Sequence, residues 1–167
     1  MVGATVLMIG LVIVLLVIVI ALMTTAIVII QPHEQGIYLR MGRFVRVLTP
    51  GVNIVPPLVS EVKKVDMRPR VLSISYDDLL ASDRSRFMLT MKVHFRVTDS
   101  KKAYFETPDC EKVVGESAAT SLRLAIRNAS KDEVWTSSRK IGEIVRGDLD
   151  MAVSRFGMKV EAVELSP

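Results

Sequence analysis

In Phe87-Met88-Leu89-Thr90-Met91-Lys92-Val93-His94-Phe95-Arg96-Val97-Thr98, the apolar residues Phe87, Leu89, Met91, Val93, Phe95 and Val97 recur at every second position. Successive side chains of a strand point to opposite faces, so this period predicts a long strand with one buried and one wet face. Ser82-Asp83-Arg84-Ser85 just before it supplies a turn into a hairpin. Further upstream, residues 61–67 and 71–76 read as strands separated by Arg68-Pro69, and residues 37–41 and 44–48 as a hairpin-like pair around Gly42. Thr49-Pro50-Gly51 is a turn signal. Residues 52–59 are apolar, but Pro56-Pro57 rules out a regular helix or central strand. Such a loop either dips into a membrane interface or packs beneath the sheet.

Downstream of the long strand the period lengthens. Residues 99–105 read as one or two helical turns. Thr107-Pro108 then predicts a helix start, with Thr as N-cap and Pro at the first position. Val113, Val114, Ser117, Ala118, Ser121, Leu122 and Ala125 share one face of that helix. Ser130-Lys131-Asp132-Glu133 matches a capping box, predicting a short helix that buries Val134 and Trp135. A last helix is expected over about 138–156, its stripe being Ile141, Val145, Leu149, Ala152 and Phe156, with Gly157 at the left-handed C-cap position. Residues 158–165 alternate again and return to the sheet. Strands, then helices, then a final strand make an α+β arrangement.

The N-terminus has a different character. Residues 1–30 carry no charged side chain and are dominated by Leu, Ile, Val, Met and Ala. A helix of that length extends about 45 Å at ~1.5 Å per residue, against a hydrocarbon core of roughly 30 Å. We expect a transmembrane anchor over 1–30, spanning at about 6–29, followed by a domain over 31–165. A cleavable signal fits less well, because no Lys or Arg precedes Arg40 and the apolar run exceeds the roughly 7–15 residues of a signal core. An exported soluble binding domain released from a long signal is the corresponding alternative.

Charge orients the anchor. Residues 31–70 hold Arg40, Arg43, Arg46, Lys63, Lys64, Arg68 and Arg70 against Glu34, Glu61 and Asp66, a surplus that equals the +4 net charge of the whole chain. Basic residues flanking a span favour the cytoplasmic side, so the N-terminus is expected outside and the C-terminal domain in the cytoplasm. Arg40, Arg43 and Arg46 are the candidate membrane-surface contacts, facing anionic head groups at ~1 kcal/mol per cation. For Lys63 and Lys64 a solvated strand face competes. The low aromatic content and the lack of a recognition module argue against a nucleic-acid partner. A single cysteine excludes an internal disulfide framework.

Little in the sequence assembles into chemistry. His94 falls on the wet face between Lys92 and Arg96, and His33 has no partner at metal-ligand spacing. Cys110 falls in the first turn of a helix, where the dipole lowers a thiol pKa, so a thiol-dependent or hydrolytic enzyme using Cys110 is the alternative function. Asp77-Asp78 reads as a pair of turn residues, since neighbours in an extended chain point apart. No nucleophile elbow or phosphate loop is present, so no catalytic, cofactor or metal residue is assigned.

Several segments together resemble the SPFH or band 7 family, the relatives of stomatin, prohibitin and flotillin, and within it the stomatin-like branch. They are Glu34-Gln35-Gly36, Arg40-Met41-Gly42-Arg43-Phe44, Pro50-Gly51-Val52-Asn53-Ile54-Val55-Pro56-Pro57, Lys64-Val65-Asp66-Met67-Arg68, Arg96-Val97-Thr98-Asp99, Ser121-Leu122-Arg123, Asp132-Glu133-Val134, Arg139-Lys140-Ile141 and Phe156-Gly157-Met158-Lys159-Val160. The resemblance implies an α+β domain held on a lipid bilayer: an N-terminal transmembrane helix, then a mainly antiparallel sheet, helices and a final strand. It also implies a non-catalytic scaffold without cofactor, which forms homo-oligomers, organises the membrane and regulates a membrane protease or channel. Two departures stand out. Stomatin-like chains usually continue into a long charged helix that drives oligomerisation, whereas this sequence stops at Ser166-Pro167, implying a fragment or assembly without a coiled coil. Relatives often carry Asp-Asn or Asp-Gly where this chain has Asp83-Arg84-Ser85.

Overall fold

The structure is a computed structural model that describes residues 2–57, 59–107, 109–127 and 129–166. The chain forms two compact units, residues 1–65 and 66–167.

The first unit opens with α1 (Val2–Thr25), continuing after Ala26 into β1 (Ile27–Ile30). β2 (Glu34–Arg40), β3 (Arg43–Leu48), β4 (Gly51–Ile54) and β5 (Ser60–Asp66) follow. The helix expected over residues 1–30 therefore ends at Thr25. Ile27–Ile30 leaves the helix because Gly51–Ile54 offers it an antiparallel partner, with Ile27 opposite Ile54 and Ile29 opposite Val52. β-branched residues fit that pleated surface well. The prolines of the following loop do end β4, but a short strand forms before them. β2 lies between β3 and β5 in a separate three-stranded sheet. The β2–β3 turn has Met41 at φ 50° and Gly42 at φ 75°, the paired positive dihedrals of a tight hairpin. Ile30, Tyr38, Leu48 and Val55 form this unit's core, with Val28 and Val62 against it.

The side chains described without a break along α1 cover residues 8–18, and all are exposed. Judged on the described side chains alone, no helix is long and apolar enough to cross a membrane.

The second unit contains β6 (Arg70–Leu80), β7 (Arg86–Val97), α2 (Ser100–Glu106), α3 (Cys110–Ile126), α4 (Lys131–Thr136), α5 (Ser138–Ser154) and β8 (Met158–Ser166). β7 is central, antiparallel to β6 on one side and β8 on the other. Its alternation is as read: Phe87, Leu89, Met91, Val93, Phe95 and Val97 are buried, each contributing about 1.5–3 kcal/mol. Val114, Ala118 and Leu122 of α3 and Val145 and Leu149 of α5 supply the buried helical side of this unit's core. The capping box forms in full, with the Ser130 amide donating to the Glu133 carboxylate at 2.8 Å. Val134 is buried, and Trp135 stands edge-on to Phe87 at 5.9 Å between ring centroids.

Two local expectations change. The N-cap of α3 is Asp109, whose carboxylate accepts from the Lys112 amide at 3.1 Å, and Thr107 instead ends α2. A carboxylate at a helix N-terminus satisfies an orphan amide and meets a favourable dipole. The Pro108 part of that expectation lies outside the described residues. Asp77-Asp78 is not a loop turn; it lies within β6 at a break in register, where pairing with β7 passes from Tyr76 to Leu79.

Candidate functional site

The first unit's hairpin brings two of the three expected surface arginines together. Arg40 and Arg43 are direct cross-strand partners beside the Met41-Gly42 turn. Arg46 lies farther along β3, opposite Tyr38. All three are exposed, and Met41 between the first two is 81% exposed. Like charges directly opposite across an antiparallel pair repel, by a magnitude of about 0.2–1 kcal/mol. The hairpin tip is thus a small cationic site with an apolar side chain at its apex. The Met41 amide donates to the Val59 carbonyl at 2.9 Å, tying this tip to the proline-bearing segment.

A second feature escaped the sequence reading. Ile27 and Ile29 of β1 and Val52 and Ile54 of β4 are 54%, 62%, 72% and 75% exposed. The pairings Ile27 with Ile54 and Ile29 with Val52 set them on one face of the two-stranded ribbon. Ile30 and Val28 serve the core on its other side. The ribbon follows α1 within two residues. In sequence this ridge is hidden, because alternation has no contrast inside a uniformly apolar run. Residues 52–59 resolve both ways: Val52 and Ile54 face outward, whereas Val55 is buried.

The residues weighed for chemistry behave differently. Cys110 is half-buried at the start of α3, and burial pushes its thiol pKa up, outweighing the opposing Arg70 charge. The expectation of a lowered thiol pKa is corrected: desolvation exceeds the dipole. A protonated thiol is a poor nucleophile. His94 is less solvated than expected, its side chain 33% exposed with Nε2 at 3.6 Å from Glu164 Oε1. Among the described residues no three His, Cys, Asp or Glu side chains gather as a metal site.

The first unit thus combines an apolar helix, an exposed apolar ribbon and a cationic hairpin tip, and the second unit is α+β. The chain belongs to the SPFH domain / Band 7 family, whose model matches residues 28–166. An uncharacterised protein of Methanocaldococcus jannaschii is 34% identical over 140 residues, covering 84% of this chain and 70% of that protein. Stomatin homologues of Pyrococcus horikoshii and Pyrococcus abyssi are each 28% identical over 141 residues, covering 84% of this chain and 53% of theirs. This chain thus spans little more than half the length of the Pyrococcus proteins. The family supports a membrane-associated scaffold role in general.

Proposed function

We propose that this protein is a membrane-anchored, self-associating scaffold that organises the surrounding bilayer and regulates partner membrane proteins such as a protease or channel. The observation that carries the reading is α1. Its 24-residue backbone extends about 36 Å at ~1.5 Å per residue, and it is apolar all round. Residues 8, 9, 11–18 and 20 expose 50–68% of their large apolar side chains. Water disfavours so large an apolar surface, and lipid removes the penalty. A helix also satisfies its own backbone groups, as hydrocarbon requires.

In this reading α1 spans, its N-terminus lies outside, and the remaining chain lies in the cytoplasm beside the basic flank. The ridge of Ile27, Ile29, Val52 and Ile54 rests at the lipid interface, while Arg40, Arg43 and Arg46 meet anionic head groups. Partner regulation is the part of the proposal that rests on likeness to the family and its stomatin homologues. Alkaline carbonate extraction with protease protection tests the anchor. The intact chain stays with the membrane, and protease added to the cytoplasmic side removes the β-rich portion. Release of the intact chain by carbonate would refute the anchor, and protection of that portion would reverse its orientation.

A further inference from the structure

The charges of the first unit do not balance. Residues 1–65 hold Arg40, Arg43, Arg46, Lys63 and Lys64 but only two acids, Glu34 and Glu61. Both acids already face lysines: Glu61 pairs with Lys63, and Glu34 stands 3.7 Å from Lys64. The arginines are left without a carboxylate of their own unit. Arg40 and Arg43 are moreover directly opposed across the Met41-Gly42 turn, so their side chains leave the same face of the hairpin. Two exposed guanidinium groups held in this way repel, and an anion shared between them turns the cost into a gain.

The tip is tied to the end of α1 by two backbone hydrogen bonds. The Val55 amide donates to the Ala26 carbonyl at 2.8 Å, and the Met41 amide to the Val59 carbonyl at 2.9 Å. Residues 55–59 run between these bonds and reach at most about 14 Å at ~3.5 Å per residue. Ile54, Val59 and Met41 along this path are exposed apolar side chains. Met41 has φ 50° at the turn, so the tip presents an apolar apex with a cation on either flank. A free anion gains nothing from that apex, whereas a lipid joins an anionic head to an apolar body and uses both.

The charge count selects the head group. A phosphomonoester carries about −1.5 to −2 near pH 7 and presents three acceptor oxygens, enough for two guanidinium forks. A phosphodiester or a carboxylate carries a single negative charge and leaves one of the two arginines unmatched.

We propose that Arg40 and Arg43 clamp the head group of a phosphomonoester lipid such as phosphatidic acid, with Met41 inserted beside its acyl chains. This rests on the membrane-anchored reading and names the lipid that its cationic tip selects.

The full-length protein in a mild uncharged detergent tests it, titrated calorimetrically with dihexanoyl phosphatidic acid, dihexanoyl phosphatidylglycerol and inorganic phosphate. Phosphatidic acid binds about tenfold tighter than either of the others. Arg43→Gln lowers that affinity about tenfold and removes the preference over phosphatidylglycerol. Arg46→Gln, which alters the residue opposite Tyr38, changes it by less than about twofold. Equal affinity for the two lipids, or equal losses from Arg43→Gln and Arg46→Gln, overturns the clamp. Inorganic phosphate that binds as tightly as phosphatidic acid overturns the lipid assignment. Carbonate extraction of the same chain separates the two readings. A failed clamp in a chain that stays with the membrane strikes this site alone, and release of the chain strikes the anchor as well.

Discussion

The Asp99 carbonyl oxygen stands 2.6 Å from where a Cβ on Gly157 would project, and Gly157 has φ +73°. The Gly157 carbonyl accepts from the amides of Thr98 at 2.8 Å and Asp99 at 3.0 Å. The end of β7 and the turn into β8 are thus fastened by one residue that has no side chain. Asp99 also caps α2, accepting from the Lys101 and Lys102 amides at 3.0 and 3.1 Å. Gly157→Ala therefore meets both backbone strain and a steric clash, and we expect it to cost about 2–4 kcal/mol. Thermal denaturation of the full chain in detergent measures this. A melting temperature equal to the wild type would show that the junction yields freely.

Burial raises the pKa of Cys110, against Arg70, and of Tyr76, against Arg123. For each group the folded state keeps its proton to a higher pH than the unfolded state does. The stability is fully present below the ordinary values, near 9.0 for the thiol and 10.0 for the phenol, and is lost as pH rises above them. Chemical denaturation of the full chain from pH 7 to 11 should show this decline. Cys110→Ala with Tyr76→Phe should flatten it, and an unchanged slope would assign the alkaline loss to other groups.

The second unit was legible where one residue's environment repeats regularly. The β7 alternation, the Ser130–Glu133 box and Gly157 each carry their signal in a few neighbouring positions. β1 was not legible, because Ile27–Ile30 has the same composition as the helix before it and its partner lies over 20 residues downstream. The Asp77-Asp78 register break depends on β7, so local reading made it a turn. Proximity to the apolar N-terminal segment singles out Arg40 and Arg43 in the sequence, yet their pairing comes from the two-residue turn between them. The direction of the Cys110 shift depends on burial, which sequence position alone does not reveal.

The ridge on the β1–β4 ribbon predicts a pattern of lipid contact. Nitroxide labels at Ile29→Cys and Ile54→Cys, in a Cys110→Ser background within lipid bilayers, should be more accessible to oxygen than to a water-soluble nickel chelate. A label at Arg46→Cys should show the reverse if it stays at the head-group level. Replacing Ile29 and Val52 with Ser should change stability in detergent by only about 0.5 kcal/mol each, since both side chains are exposed. Equal nickel access at positions 29, 54 and 46 would place the ridge in water.

The Arg40–Arg43 pair predicts an effect whose sign depends on the lipid. With no anion at the hairpin tip, the opposed guanidinium groups repel, so Arg43→Gln relieves strain and the variant is as stable as the wild type or more so, by up to about 1 kcal/mol. An anionic head group between the two changes the balance, because each cation near such a surface gains ~1 kcal/mol. In bilayers rich in anionic lipid, Arg43→Gln should therefore melt below the wild type, and added salt should narrow the gap by screening. Melting temperatures of both proteins in zwitterionic and anionic nanodiscs provide the comparison. The same difference in both lipids would mean that Arg40 and Arg43 do not sense the membrane, and the tip would then be a solvated turn.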